Sequence, residues 1–287
     1  MHASCGGLTL ATTMIAKSAL LLLSLCGISI AADGPAKAKA DLLCASSTYQ
    51  QGAPVQAAIR LRVDPGWHTY WSNPGEAGMK LAVKWDLPEG WQADEMEDPI
   101  PRRFMTGELA GFGYEGTVIF PVRFRPAPDA TGAVKLKGRL SWLTCNDASC
   151  IPGAADLEIA LEKGTATPTN DASVIDQALQ RIPRSANATF DLAVKEKPTA
   201  LQLTLRPRLG NTLDPAECDF FPATPHAIDP KAKFEFHKAD GSWTATLAKS
   251  EYAPAKVGEL TLVLVPPDAG KPQALVWKLA NEAADKK

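Results

Sequence analysis

The chain has no run of lysine and arginine, and its 30 basic residues are nearly balanced by 32 acidic ones, leaving a net charge of −2. Neutralising a phosphate backbone needs a concentrated basic face, so the composition argues against nucleic-acid binding. There is no Gly-x-Ser-x-Gly, no phosphate-binding glycine loop and no zinc-type cysteine set. Histidine is scarce, at four residues, and one of these is His2. The carboxylates Asp94, Glu95, Glu97 and Asp98 read as a charge run in a solvated loop rather than as an acid–base pair. Past the N-terminus, no apolar stretch approaches the ~20 residues needed to span a bilayer. What is present is apolar material (45%) together with 23 prolines and 21 glycines scattered along 287 residues. That mixture suits real cores built from many short strands joined by turns.

The N-terminus reads as a targeting segment, residues 1–32. Lys17 supplies the positive charge and Ser18 to Ile30 the apolar run. Small residues around Ala31 and Ala32 allow cleavage before Asp33. Met14 is an alternative start. As a membrane anchor the run of about 13 to 15 residues is too short, and Leu25 is too bulky to precede a lipidated Cys26. The mature protein is therefore expected to be exported and soluble, in a periplasmic or equivalent oxidising compartment. Cys5 and Cys26 leave with the signal, so Cys44, Cys145, Cys150 and Cys218 remain and allow three pairings.

Residues 33–163 read as successive strands. Val55 to Val63 alternates apolar and polar residues, the period of a half-buried strand. Asp64-Pro65-Gly66 marks a turn, and extended sequence resumes at His68 to Trp71. Leu81 to Leu87, Thr117 to Phe124, Val134 to Leu143 and Asp156 to Leu161 follow, with Pro121 suggesting an edge or a bulge. Residues 164–185 form a linker with a short helix over Asn170 to Ile182, capped by Asn170 or Asp171 and ended by Pro183. Residues 186–287 return to strands: Thr189–Val194, Ala200–Arg206, Lys233–His237, Ser242–Leu247, Glu259–Val265 and Ala274–Leu279. Ala239-Asp240-Gly241 has the composition of a hairpin turn. The expected fold is all-β, with two immunoglobulin-like β-sandwiches, the second smaller.

Cys145 and Cys150 end two strands across Asn146-Asp147-Ala148-Ser149, a loop that can bring their sulfurs together. A disulfide there is either a staple or a reaction centre. Loop entropy gives about 2 kcal/mol for so short a ring and roughly 5 kcal/mol for a Cys44–Cys218 bridge. The first is a poor staple and the second an efficient one, so Cys44 and Cys218 are candidates for a structural disulfide.

Four segments in order carry a family resemblance: Pro65 to Gly75 (PGWHTYWSNPG), Trp85 to Gly90 (WDLPEG), Gly111 to Gly116 (GFGYEG) and Trp142 to Gly153. They resemble the N-terminal periplasmic domain of DsbD-type thiol:disulfide interchange proteins, in the ScsB-like suppressor-of-copper-sensitivity branch. The resemblance covers residues 40–163, with a looser echo at Asp219-Phe220-Phe221-Pro222. It implies an immunoglobulin-like domain that passes electrons from a membrane-linked reductant to periplasmic thioredoxin-like proteins or other disulfide substrates. Cys150 would form the mixed disulfide and Cys145 would resolve it. No cofactor or metal is implied. His68 and Tyr70 match an aromatic pair beside the cysteines that could tune the thiolate; the alternative is that Trp67, Tyr70 and Trp71 only pack the core, with His68 on the surface. Asp98 to Gly113 falls where the family carries a cap loop over the disulfide, with Phe104, Met105 or Phe112 as the lid. The interval between the cysteines is shorter than in DsbD. No multi-span segment or Cys-x-x-Cys follows in these residues, so the electron donor is expected to be a separate protein.

Two other functions remain open at this level. One is a non-catalytic interaction module with structural disulfides. The other is a copper-tolerance or copper-binding role, with His68, Met105, Cys145 and Cys150 as soft ligands.

Overall fold

The computed structural model describes residues 36–267 and 270–279, so the expected signal segment 1–32 lies outside the described residues. Eleven strands come before the helix: β1 (Ala38–Cys44), β2 (Thr48–Tyr49), β3 (Val55–Val63), β4 (His68–Gly75), β5 (Ala82–Asp86), β6 (Gln92–Ala93), β7 (Arg102–Thr106), β8 (Leu109–Glu115), β9 (Thr117–Arg125), β10 (Val134–Cys145) and β11 (Cys150–Lys163). Helix α1 (Ala172–Gln180) follows, and then β12 (Phe190–Glu196), β13 (Ala200–Pro207), β14 (Asp219–Pro222), β15 (His237–Ala239), β16 (Ser242–Ala248), β17 (Glu259–Val265) and β18 (Gln273–Lys278).

The first sandwich packs sheet β1-β3-β9-β6 on sheet β2-β11-β10-β4-β8-β7, with β5 added beside β10. Ile59, Leu61, Phe120 and Phe124 from the one meet Leu136, Leu140, Trp142 and Phe112 from the other in a single core. Alternation along each strand does this, since every second side chain faces inward. Pro121 is opposite Ala58 on β3, while its carbonyl accepts the Glu97 N–H on the other side. Its missing N–H therefore faces away from β3 and removes no bond from that ladder. Helix α1 begins after Asp171, which makes no side-chain cap. It lays Ile175 and Leu179 on Leu43, Ala58 and Ile119, the outer face of the first sheet.

The second sandwich pairs β12-β13-β16-β15 with β14-β17-β18. The β15–β16 hairpin turns at Asp240 and Gly241, both at positive φ (49° and 73°), as a two-residue primed turn requires. The strand expected over Lys233–His237 starts only at His237. Phe234 and Phe236 pack on Phe220 from irregular backbone, so the apolar alternation there serves packing rather than pairing.

Sheet β14-β17-β18 is covered on both faces. Phe220, Leu262 and Leu264 enter the second core, whereas Phe221 and Val263 enter the first. Phe221 meets Trp71 and Phe112 edge-on, with ring centroids 6.4 and 6.1 Å apart. Between the sandwiches, the Asn73 amide donates to the Pro222 carbonyl at 2.7 Å, and Arg184 pairs with Glu97 at 2.8 Å.

The acidic run expected to be a solvated loop is instead tied into the fold. Asp94 pairs with Arg125 at 2.8 Å and Glu97 with Arg184. Asp98 is half-buried, and burial raises its pKa to about 6 against the pull of Ser72 and Lys80. The reason is local: backbone N–H groups of Asp94 and Glu97 bond β9 at Arg123 and Pro121, drawing the segment onto the sheet.

Two outcomes follow. Phe221→Ala removes a ring from a core shared by two sandwiches and should cost about 3–5 kcal/mol in urea denaturation. A loss below about 1 kcal/mol would show that the two cores are independent. Asp98 holds its proton more tightly when folded, so its contribution is complete below the unfolded carboxylate pKa and is lost as pH rises through about 6. Asp98→Asn should therefore be the more stable form at pH 7, with the advantage gone by pH 4, as read from denaturation midpoints at the two pH values.

Candidate redox site

Strands β10 and β11 pair in register along their whole length, which puts Cys145 opposite Cys150 with their Cα atoms 4.1 Å apart. The next pair outward closes the loop, with the Asn146 N–H donating to the Ser149 carbonyl at 3.0 Å. Pairs alternate along an antiparallel ladder, so the cysteines occupy a non-hydrogen-bonded position, where side chains approach most closely. The Asn146 side-chain carbonyl accepts the N–H groups of Ala148 and Ser149 at 2.9 and 2.8 Å, which makes the loop a compact Asx turn. The two sulfurs are bonded as a disulfide. Cys145 has 0% exposure, while Cys150 is exposed.

On its other side Cys145 faces His68 of β4, and His68 faces Glu115 of β8. Directly opposed residues share a sheet face, so Cys150, Cys145, His68 and Glu115 form a row across the outer face of the sheet. Thr69 points the other way and ties β4 to β10 by donating to the Leu143 carbonyl at 2.9 Å.

An aromatic cover lies over the His68 position of this row. The Phe104 ring lies on the His68 ring with centroids 3.9 Å apart, and Tyr70 stands edge-on to both, at 5.4 Å from His68 and 5.8 Å from Phe104. Phe104 is on β7, two strands from β4. It reaches across because the intervening β8 presents Gly111 and Gly113 on that face: a Cβ at Gly111 would sit 2.5 Å from the Phe104 ring. Gly78 backs Tyr70 in the same way, since a Cβ there would lie 2.2 Å from the ring.

The expected cap loop is thus mostly a hairpin, β7–β8, turning at Gly107-Glu108 with Gly107 at φ 59°. Its three lid candidates separate by strand parity. Phe104 covers His68. Phe112, 1% exposed, belongs to the core against Trp71 and Phe221. Met105, 53% exposed, alternates to the face opposite Phe104. Met105 therefore does not converge with His68 as a copper ligand, and both cysteines are in a disulfide. Among the described residues, no group of three or more His, Cys, Asp or Glu side chains could hold a metal ion.

The structural disulfide expected between Cys44 and Cys218 is not formed; both are free. Cys44 points into the first sandwich, its thiol directed at the Gln56 carbonyl at 3.6 Å. Cys218 packs on the second core, its thiol 3.3 Å from the Asp214 carbonyl. Each thiol is occupied in a different core. Burial pushes the Cys44 thiol up; burial, followed by Asp214, Glu217 and Asp219, pushes Cys218 up to about 11. Both stay protonated and unreactive near neutral pH.

Burial lowers the His68 pKa below its ordinary value, outweighing the opposite pull of Glu115 and Asp147, so the imidazole is neutral at pH 7. Burial also pushes the Tyr70 phenol up. Thr106, from the same face of β7, sits with its hydroxyl 3.4 Å from His68 Nε2. Sequence reasoning missed Thr106, Glu115 and Asn146. The Asn-Asp-Ala-Ser composition could have pointed to Asn146, but the other two need the strand register.

Removing the ring that buries His68 should restore part of its hydration. Phe104→Ala is expected to raise the His68 pKa towards about 6.5, followed by titration of its imidazole NMR resonances. An unchanged value would show that Phe104 does not cover the histidine in solution.

No curated protein sequence matches the chain. Among solved structures, the N-terminal periplasmic domain of ScsB from Proteus mirabilis aligns with a TM-score of 0.57 at 19% identity, over 85% of this chain and 92% of that one, which is a likeness of fold. The YadV chaperone (TM-score 0.23, 6% identity, 83% of this chain and 100% of that one) and the collagen adhesin of S. aureus (0.16, 9%, 84% and 92%) align only weakly. Residues 39–162 match the family described as thiol:disulfide interchange protein DsbD, N-terminal. The segment that carries the Cys145–Cys150 disulfide thus matches the DsbD N-terminal domain family, and the likeness to the ScsB domain is one of fold.

Proposed function

We propose that residues 39–162 exchange their Cys145–Cys150 disulfide with the thiols of other proteins, passing two electrons per cycle. The observation that carries this reading is the asymmetry of the bond: Cys150 is exposed and Cys145 has no exposed surface. Thiol–disulfide exchange needs an in-line approach to one sulfur along the S–S axis, and only Cys150 offers one. The family match of the segment supports the reaction class.

In the reductive half, a donor thiolate attacks Cys150 Sγ, the S–S bond breaks, and the electron pair leaves on Cys145 Sγ. A second donor thiolate then attacks the donor sulfur in the mixed disulfide and frees Cys150. In the oxidative half, the Cys150 thiolate attacks a partner disulfide and expels one partner thiolate. Cys145 then attacks Cys150 Sγ, reforms the internal bond and releases the second partner thiol. The neutral imidazole of His68, opposite Cys145, can take up and return the proton of that thiol. The phenol of Tyr70, kept protonated by burial, supports the same pocket. Phe104 covers His68, the neighbour of Cys145, and in this reading shields the leaving sulfur's side of the bond.

The partners in this reading are thioredoxin-like proteins and other disulfide substrates outside the cytoplasm, fed by a separate membrane-linked donor. The periplasmic origin of the ScsB domain supports that placement. Among the described residues, no helix is long and apolar enough to cross a membrane.

Two measurements test the proposal. Equilibration in thiol redox buffers should titrate the pair reversibly at a potential above about −300 mV, where structural bridges resist reduction. Reduction only on unfolding would leave the bond a staple. Cys145→Ala should accumulate a mixed disulfide with oxidised glutathione at Cys150, detected by mass spectrometry. Cys150→Ala should form it at least about tenfold more slowly, because the remaining thiol is buried. Equal rates in the two variants would reverse or erase the assigned roles.

A further inference from the structure

The cap hairpin is held from behind by the second sandwich. Strand parity places Phe104 over His68 and its neighbour Arg103 on the opposite face of β7. There the Arg103 guanidinium donates to the Phe220 carbonyl on β14. It also lies over the Phe221 ring at 4.3 Å and nearer the edge of contact with Phe112 at 5.9 Å. A planar cation that stacks on one ring while bonding the adjacent carbonyl is fixed in both tilt and position, in a way a flexible ammonium is not.

A second contact reaches the other strand of the hairpin. Glu76 accepts the Ala110 N–H of β8 at 2.6 Å and pairs with Lys231 of the second sandwich at 2.9 Å. Ala110 precedes Gly111, whose bare face the Phe104 ring occupies. Both strands that set the ring are thus tied to residues 220–231. β7 ends its sheet: among the described residues no strand pairs with its other edge.

We propose that the second sandwich sets the position of the Phe104 cap through Arg103, so that Arg103 is a positioning residue for exchange at Cys145–Cys150. This rests on the exchange reading above. The segment β12–β18 is then part of the redox device, controlling how readily the cap lifts, and a partner that grips β14 or Lys231 would loosen it. The Arg103 contact carries more of the coupling than the Glu76–Lys231 pair, which lies at the surface, where ion pairs are weak.

A double-mutant cycle decides it, using the full mature chain and dithiothreitol as the reductant, with the free thiols trapped by alkylation. Phe104→Ala should admit water beside Cys145, the sulfur that leaves as thiolate, and so speed reduction on the order of tenfold; Arg103→Ala should give about threefold, and the double variant should match Phe104→Ala alone, because residues acting through one another are not additive. Arg103→Ala should also raise the His68 pKa in the direction set by Phe104→Ala, a shift that a purely stabilising arginine would not produce. Arg103→Lys keeps the charge without the planar stack. It should behave as a partial loss, and it replaces the alanine variant in the same cycle should that variant fail to fold.

The proposal is overturned if the arginine variants reduce at the parent rate while Phe104→Ala accelerates, or if the two effects multiply. Should the parent disulfide resist dithiothreitol until unfolding, the exchange reading falls instead. The His68 resonance then still reports whether Arg103 holds the ring.

Discussion

The in-register pairing of β10 with β11 is the constraint on which the site depends. It places Cys145 opposite Cys150 at a non-hydrogen-bonded position, and through β4 it places His68 opposite Cys145. A slip of one residue would turn each side chain to the other face and separate the sulfurs. The Asn146 turn closes the loop at its end, and the long ladder back to Val134 and Leu161 resists slipping because Leu136, Leu140, Trp142, Leu157 and Leu161 must stay in the core. Stability of the sandwich and placement of the chemistry are the same requirement.

A rigid scaffold then allows an asymmetric bond. One sulfur is buried on the strand beside His68 and the other is open to solvent, an asymmetry that in the proposed exchange favours attack at Cys150. The low-dielectric cover that keeps His68 neutral also keeps Tyr70 protonated, so both are in the state suited to moving a proton rather than carrying charge.

The second sandwich is more than an appended module. Sheet β14-β17-β18 has alternate residues in two cores, with Phe220 facing one way and Phe221 the other. Arg103 reads that sheet from the back of the cap strand. The parity of β7 therefore puts the contact with the second sandwich on one face of the strand and the ring over His68 on the other.

Much of this was legible in the residues themselves. Period-two alternation marked Val55–Val63 and Glu259–Val265 at their observed bounds, Asp240-Gly241 marked its hairpin, and the turn composition between Cys145 and Cys150 marked the loop that the disulfide closes. These signals are local, set by strand pleat and turn chemistry, and a chain carries them in its own order. What lay outside reach was everything decided between strands. Phe104, Met105 and Phe112 are equally plausible lids in sequence; only the register of β7 on β8, and the bare glycines between, send one to His68, one to solvent and one to the core. The same holds for Cys44 and Cys218, which entropy alone would pair and which packing into separate cores keeps apart. It holds for Asp98 as well, whose neighbours in the chain are charged but whose neighbours in space withhold water. Contacts distant along the chain are settled by which faces must be buried together, and that is a property of the assembled sheets.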